Sequence, residues 1–251
     1  MKVIVVKDYA AMSREAANVI AACVKENPAC RLGLATGSTP EGLYAELVGD
    51  YKAGQLDFSQ VTTFNLDEYR GLDNDHEQSY HYFMKKNLFD AVNIDPVRTH
   101  VPDGANPNAA VVCARYEAAI DAAGGIDLQL LGIGHNGHIG FNEPGTEFPK
   151  LTSCVDLAES TIFANSRLFS SADEVPRQAY TMGIGTIMKA KKILVVASGA
   201  GKATVVRNAF FGPVTPFVPA SVLQLHHDVT LVVDEEAASL LEGSVAGSAD
   251  L

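Results

Sequence analysis

The sequence predicts an α/β protein with an open, mostly parallel sheet and helices on both faces, and three observations support this. Short apolar or β-branched runs alternate along the chain with longer segments of helical periodicity. Most of the short runs are continuously apolar, which is typical of strands buried on both faces. No linker rich in Pro, Gly or Ser divides the pattern, so residues 1–242 are expected to form one domain.

Six short runs are the predicted strands. They are Val3–Val6, Leu32–Ala35, Val61–Leu66, Leu128–Ile133, Ile193–Ala197 and Val229–Val233. Helical patterns lie near residues 10–25, 40–53, 78–90, 107–123, 180–190, 201–210 and 235–242. Ligands of such sheets bind beyond the carboxyl ends of the strands, so the segments that follow each strand are where chemistry is expected.

Two regions lack clear periodicity. Residues 144–180 are expected to form a surface loop or a lid, about 150–180, with a short helix. The tail Gly243–Leu251 is small and polar, and is expected to be frayed and flexible.

The charge balance limits the possible partners. The chain has 251 residues, and 19 Lys and Arg against 30 Asp and Glu give a formal net charge of −11. Nucleic acids and anionic membrane surfaces attract basic proteins, so neither is an expected partner. An anionic small substrate remains possible, because a few cations and backbone amides are enough to hold a phosphate.

Targeting signals and cysteine spacing indicate a cytoplasmic protein. The apolar run Val3–Val6 is too short for a signal peptide and is followed at once by Lys7 and Asp8. No segment approaches the roughly 18 apolar residues that span a bilayer. The four cysteines have neither metal-binding nor redox spacing and are expected to be reduced thiols.

The first candidate site segment is LGLATGSTPEGLYAEL, residues 32–47. A strand ends at Ala35, a tight turn follows, and Pro40 suits the first helical position, with Ser38 or Thr39 as the cap. The unpaired N–H groups of a helix start and the nearby hydroxyls would suit a phosphate. An ordinary capped strand–turn–helix fits equally well, and the segment is not a Walker loop because no Gly-Lys-Ser/Thr follows.

The second segment is VTTFNLDEYRGL, residues 61–72, in which apolar strand character runs into Asp67 and Glu68. Adjacent side chains of a strand point to opposite sides, so only one of the two carboxylates would face a site. A carboxylate in this place could be a general base. The alternative is a helix cap or a solvated turn.

The third segment is LQLLGIGHNGHIGFNEPGTEF, residues 128–148, where a buried strand runs into a glycine-rich loop carrying His135, Asn136, His138 and Glu143. Glycines let a backbone approach a ligand closely. No long helix pattern follows, which disfavours a dinucleotide site. The histidines lie on a loop without a clear third ligand, which disfavours a metal. A histidine acid/base oriented by a carboxylate is the preferred interpretation.

Two cations complete the candidates. Arg167 lies in the polar stretch Ala164–Arg167, and Lys202 follows the strand Ile193–Ala197 at the start of a helix. Either could be a solvated surface charge. Lys202 is the more suggestive, since a lysine at a helix start is unfavourable unless an anion is nearby.

Taken together, these segments resemble the glucosamine-6-phosphate deaminase family (glucosamine/galactosamine-6-phosphate isomerases). The matching blocks run from about residue 32 to residue 226 and are LGLATGSTP, FNLDEYRGL, SYHYFMKKNLF, LGIGHNGHIGFNEPGT, ANSRLF and SVLQLH. The combination of GHNGHIGFNEPG with NLDEY is highly specific. The resemblance implies a Rossmann-like fold, no cofactor and no metal, and conversion of glucosamine 6-phosphate to fructose 6-phosphate and ammonia.

The resemblance also implies roles for individual residues. Asp67 would be the base that moves a proton between C2 and C1 of the open-chain sugar. His138 would open the pyranose ring, with Glu143 and Asn136 as its supports. The residues that would bind the substrate phosphate are Gly37, Ser38, Thr39, Arg167 and Lys202.

Two departures from the family pattern affect these expectations. Many members have Asp where this chain has Asn136, so any charge relay would depend on Glu143. Hexameric members that respond to N-acetylglucosamine 6-phosphate carry basic residues where this chain has Ser153 and Val155, and the chain is short at its C-terminus. A monomer or small homo-oligomer without this control is therefore expected.

Two rival functions remain open at this point. One is a 6-phosphogluconolactonase, a hydrolase that shares the phosphate loop and a histidine loop. The other is a non-catalytic sugar-phosphate sensor, which would normally be joined to a DNA-binding segment that this sequence does not display.

Overall fold

The structure of the chain is a computed structural model. The structure describes residues 1–166, 169, 171 and 174–241, except for the side chains of residues 160, 164 and 165. The predicted flexible tail Gly243–Leu251 lies outside the described residues.

The main sheet has seven strands, all parallel, in the order β1-β10-β9-β6-β2-β3-β5. The strands are β1 Lys2–Val6, β2 Arg31–Leu34, β3 Thr62–Asn65, β5 Thr99–His100, β6 Leu128–Gly132, β9 Lys192–Ala197 and β10 Val229–Asp234. All six predicted strands are confirmed. The seventh, β5, is an edge strand of two residues and is too short to show a periodicity.

A second sheet of three antiparallel strands was not predicted. It consists of β4 Asp67–Tyr69, β8 Gln178–Thr181 and β7 Ser153–Asp156, in that order. The expectation of an irregular segment over 144–180 was therefore wrong for β7 and β8, although the short helix α5 Glu159–Ser166 is present. These strands are three or four residues long, which is too short for alternation to stand out.

The α-helices are α1 Tyr9–Glu26, α2 Glu41–Lys52, α3 Tyr80–Asn87, α4 Ala109–Ala122, α5, α6 Ile184–Ile187 and α7 Ala203–Phe211. No helix among the described residues is both long and apolar enough to cross a bilayer.

Two predicted helices need correction. The segment 180–190 is helical only in α6, since β8 takes its first residues and Gly183 and Gly185 pack against the backbone of Leu151 and Lys150. The described part of the predicted helix 235–242 is a run of turns, in which the Ser239 N–H donates to the Glu236 carbonyl (3.3 Å) and the Leu241 N–H to the Ala238 carbonyl (2.8 Å).

The direction of the crossovers places helices on both faces of the main sheet. α1 and α2 contact each other and connect strands that follow one another in one direction, from β1 to β2 and from β2 to β3. α4 and α7 connect strands in the opposite direction. Since such crossovers are right-handed, the two pairs of helices lie on opposite faces. The direction changes between β2 and β6, which makes their carboxyl ends the switch point of the sheet.

At the opposite, amino edge, an ion-pair cluster joins the starts of β2 and β6. The Arg31 guanidinium donates to both carboxylate oxygens of Asp127 (2.6 and 2.7 Å), and Lys191 Nζ lies 2.8 Å from Asp127 Oδ1. Arg31 also donates to the carbonyls of Ala123 and Gly124, which end the α4 segment. Burial alone would raise the pKa of Asp127, but these cations hold it well below its usual range.

We expect Asp127→Ala to destabilise the fold by about 3 kcal/mol, since it leaves the half-buried Arg31 without its carboxylate partner. Urea unfolding measures the loss, and Asp121→Ala, on the exposed surface of α4, is the matched control. Equal stability of the two variants would contradict a structural role for the pair.

Candidate active site at the carboxyl edge

Three loops follow neighbouring strands at the switch point. Residues 35–40 follow β2, residues 133–143 follow β6 and residues 198–202 follow β9. Because β6 pairs with β2 on one side and with β9 on the other, the parallel register brings all three loops to one edge. Most of the candidate residues that the sequence predicts lie in these loops, namely Gly37, Ser38, Thr39, Asn136, His138, Glu143 and Lys202.

Two tyrosine side chains hydrogen-bond to backbone carbonyls of the loop after β2, and the hydroxyl groups of this loop remain available. Tyr44 Oη donates to the Ala35 carbonyl (2.6 Å), and Tyr9 Oη donates to the Ser38 carbonyl (3.1 Å). Gly37 has a φ of +96°, a conformation that favours glycine. The hydroxyls of Ser38 and Thr39 have no hydrogen-bond partner among the described residues, so they and the loop amides can receive an anion.

The predicted capping of α2 was wrong in detail. Pro40 is the N-cap residue, the helix begins at Glu41, and no side chain caps it. The Pro40 carbonyl accepts from the Tyr44 N–H (2.9 Å), so proline itself begins the hydrogen-bonding pattern. Ser38 and Thr39 are therefore not consumed by a capping role.

Lys202 brings a cation to the same edge. It ends a short 3-10 turn, Ala200–Lys202, directly before α7, and Lys202 Nζ donates to the Ile133 carbonyl beyond β6 (2.8 Å). Burial lowers the pKa of the ammonium group. No carboxylate of the described residues lies within 4 Å of Lys202 Nζ, so this half-buried cation retains capacity for an external anion.

Asp234, which the sequence analysis missed, anchors the loop that carries Lys202. Both carboxylate oxygens of Asp234, at the end of β10, accept from the Gly199 N–H (2.9 and 3.0 Å), and Ser198 donates to the same carboxylate. Its position at a strand's carboxyl end was a signal that could have identified it.

The adjacent carboxylates in β4 have separate environments. Glu68 accepts from the backbone N–H groups of Tyr69, Tyr80 and His81 (2.8 to 2.9 Å), so it caps the start of α3. Burial raises the pKa of Glu68 to about 7 despite these hydrogen bonds. The sequence left a helix cap as the alternative to a general base for this segment, and Glu68 forms such a cap.

Asp67 is the carboxylate that remains without a local partner. Asp67 is 6% exposed, and no residue described in the structure donates a hydrogen bond to its carboxylate. Burial raises the pKa of Asp67 to about 8, and the nearby Glu68 charge adds to the effect. A carboxylate with this pKa is a competent proton acceptor near neutral pH.

The loop after β6 holds an imidazole beside a carboxylate. His138 packs on Gly134, where a Cβ would lie 2.2 to 2.4 Å from ring atoms, so only glycine fits beneath the ring. His138 Nδ1 lies 3.4 Å from Glu143 Oε2, and Asn136 Nδ2 donates to the same oxygen (2.6 Å). Burial alone would raise the pKa of Glu143, but His138, Asn136 and Thr161 together lower it to about 2. The carboxylate therefore stays charged beside the ring.

His135 points elsewhere. It is exposed and lies near Lys202, whose charge, with burial, lowers the pKa of the imidazole. Across the part of the chain that the structure describes, no three His, Cys, Asp or Glu side chains are grouped so as to hold a metal ion.

Asp67 and the His138 loop meet through two buried polar residues that the sequence analysis missed. A Cβ at Gly140 would lie 3.3 Å from Asp67 Oδ2, so the loop backbone runs against the carboxylate. Thr181 pairs with Asp67 across β4 and β8, and its hydroxyl accepts from the Phe141 N–H (3.0 Å). Asn142 Nδ2 donates to the carbonyls of Ile139 and Met182. These contacts fix the carboxylate relative to the histidine loop.

Of the predicted site residues, the structure brings Asp67, Asn136, His138, Glu143, Gly37, Ser38, Thr39 and Lys202 to one edge of the sheet. Arg167 lies outside the described residues.

The sequence profile of the family described as glucosamine-6-phosphate isomerases/6-phosphogluconolactonase matches residues 7–232. The chain belongs to this family.

Two relatives with the same name are similar to this chain over almost its full length. A glucosamine-6-phosphate deaminase of Clostridium perfringens is 57% identical over 242 residues, covering 96% of this chain and 100% of the relative. Another, of Clostridioides difficile, is 56% identical over 241 residues, covering 96% and 97%.

Solved structures of the family agree with the fold. A structure described as a monomeric glucosamine-6-phosphate deaminase superposes with a TM-score of 0.93 at 48% identity, covering 96% of this chain and 100% of that one. A 6-phosphogluconolactonase from Trypanosoma cruzi superposes with a TM-score of 0.77 at 21% identity, covering 96% of each chain. The second likeness shows the shared fold alone.

Replacing Asp67 tests its burial through the pH dependence of stability. A carboxyl whose folded pKa is raised stabilises the fold fully below its unfolded pKa of about 4, and this contribution is lost as pH rises to about 8. We therefore expect the free energy of unfolding of Asp67→Asn, relative to that of the parent, to rise by about 2 kcal/mol as the pH increases from 6 to 9.

Thermal or urea unfolding at the two pH values measures this difference, with Asp121→Asn as an exposed control. A stability difference between Asp67→Asn and the parent that does not change with pH would refute the raised pKa.

Proposed function

We propose that the chain converts glucosamine 6-phosphate and water to fructose 6-phosphate and ammonia. The observation that carries this proposal is the arrangement at the switch point, where the buried Asp67, which has no hydrogen-bond donor among the described residues, the His138–Glu143 pair and the Lys202 cation share one edge. The names of the relatives that match over almost their full length support the same reaction.

Ring opening is the first step that the site residues would carry out. A pyranose opens when a proton is delivered to the ring oxygen and the C1 hydroxyl loses one. His138 can transfer the proton at the ring oxygen, because its second ring nitrogen lies beside the charged Glu143, which orients the ring and stabilises an imidazolium. Asn136 holds Glu143 Oε2 without carrying a charge itself.

Proton transfer between C2 and C1 is the step assigned to Asp67. The open-chain aldehyde acidifies the C2–H, and Asp67 removes that proton while the C2 ammonium group gives one of its protons to O1, which forms an enolamine. Delivery of the same proton to C1 leaves an imine at C2. Water then adds to C2 and ammonia departs, which yields the ketose. The raised pKa of Asp67 suits both halves of this transfer, since the group must gain and release one proton.

The phosphate end of the substrate would be bound by the loop of Gly37, Ser38 and Thr39 together with Lys202. The free hydroxyls, the loop amides and the ammonium group supply donors for phosphate oxygens. Arg167 is proposed as a further phosphate ligand on the resemblance to the family. Binding energy from this end can orient the reacting carbons against Asp67.

Asp67→Asn should bind the substrate and lose at least about 10²-fold in kcat, the scale expected for a missing general base. Ammonia and fructose 6-phosphate, followed together on incubation with glucosamine 6-phosphate, measure the loss. A kcat near the parent value would remove Asp67 from the chemistry.

The same assay separates the rival functions. Hydrolysis of 6-phosphogluconolactone without ammonia release from glucosamine 6-phosphate would favour the lactonase. Binding without turnover of either sugar phosphate would favour a sensor.

Lys202→Ala should raise KM for glucosamine 6-phosphate at least about tenfold, since it removes a charged hydrogen-bond donor to the phosphate. The matched control is Lys189→Ala, at an exposed position away from the carboxyl edge. If the two variants share the parent's KM, the phosphate does not contact Lys202.

The similarity to a structure described as monomeric supports a monomer for this chain also. The cytoplasmic location inferred from the sequence stays a prediction.

A further inference from the structure

The two oxygens of the Glu143 carboxylate are held by different parts of the chain. Oε2 faces its own loop, where Asn136 Nδ2 donates at 2.6 Å and His138 Nδ1 lies at 3.4 Å. Oε1 accepts from the Thr161 hydroxyl at 2.9 Å. Thr161 lies on α5, eighteen residues further along the chain, so this helix reaches the histidine pair through one side chain.

The orientation of His138 depends on this carboxylate. His138 Nδ1 is buried and makes no hydrogen bond of normal geometry with the described residues, and the Glu143 oxygen is the charge beside it. A carboxylate held at one oxygen can rotate about its last side-chain bond, whereas a donor on each oxygen fixes its plane. The Thr161 hydroxyl supplies the second donor.

The packing of α5 does not involve the Thr161 hydroxyl, which is therefore available to donate to Glu143. On the inner side of α5, Ile162 packs against an apolar cluster that includes Tyr69 and Phe141. Phe163, the next residue, is 82% exposed and faces solvent. Apolar packing therefore holds the helix in place, and the Thr161 hydroxyl is left to serve Glu143.

We propose that Thr161 is a positioning residue for His138, acting through Glu143 Oε1. This inference rests on the proposed function, because His138 has a task to be positioned for only if the site opens a sugar ring. With Thr161 in place, Oε2 stays directed at the imidazole and Asn136. Without its hydroxyl, the carboxylate is free to turn and the ring loses its fixed partner.

The test compares Thr161→Val, which keeps the shape and removes the hydroxyl, with Thr161→Ser, which keeps the hydroxyl. Thr161→Val should lower kcat for glucosamine 6-phosphate about tenfold, the scale of one hydrogen bond to a charged group, and leave KM within about twofold. Thr161→Ser should restore most of the parent kcat. Phe163→Ala, on the exposed side of α5, is the matched control and should keep the parent kcat.

A double-variant cycle shows whether the effect passes through Glu143. If it does, Thr161→Val should cost no further kcat in a Glu143→Gln background. Full additivity, a parent-like kcat in Thr161→Val or failure of Thr161→Ser to restore kcat would each overturn the proposal.

A readout without turnover keeps this inference separate from the proposed function. The ¹⁵N chemical shifts of the His138 ring report its tautomer and protonation. They should change in Thr161→Val and return in Thr161→Ser, and unchanged shifts would overturn the positioning role. Absence of ammonia release by the parent chain would instead refute the proposed function.

Discussion

Successive strands are added to the main sheet in one direction up to β2 and β3 and in the opposite direction from β6 onward, and the site depends on this reversal. β2 leads to β3 on one side, while β6 leads to β9 on the other, although β2 and β6 pair directly. The loops that leave these two strands therefore lead to opposite faces of the sheet, and ligands of such sheets bind at this point of the carboxyl edge. The loop of Ser38 and Thr39 after β2 and the loop of His138 after β6 are far apart in the sequence, and strand pairing brings them to this point.

Buried charged groups have partners of opposite charge at the amino edge of these strands, whereas Asp67 and Lys202 lack them at the carboxyl edge, among the residues that the structure describes. At the amino edge, Asp127 is surrounded by Arg31 and Lys191, and its pKa is held low. At the carboxyl edge, no cation of the described residues lies beside Asp67 and its pKa is raised, while no carboxylate of the described residues lies beside Lys202 and its pKa is lowered. Removing one partner of a buried ion pair costs stability, because the other charge is left unpaired, whereas buried charges that lack a partner in the fold are available to a ligand. A substrate with a cationic amine and an anionic phosphate would supply both missing partners.

The sequence predicts the parts of this structure that strong local signals encode. The six main strands are continuous apolar runs, and the site loops follow them directly, so strand identity and loop position were both accessible. The second sheet was not, since β4, β7 and β8 are only three or four residues long. Thr181, Asn142 and Thr161 were missed for a related reason: a single buried hydroxyl or amide has no periodicity, and its role arises from a partner distant in sequence. The capping role of Glu68 was an open alternative that only the contacts with α3 could decide.

A crystal structure of the Asp67→Asn variant with glucosamine 6-phosphate tests the central claim most directly, because the variant should retain the substrate unreacted. The phosphate should lie within hydrogen-bond distance of Ser38, Thr39 and Lys202 Nζ, with C2 against residue 67 and the ring oxygen near His138. A sugar phosphate bound away from the β2–β6 switch point, or bound there with its phosphate toward residue 67, would contradict the account.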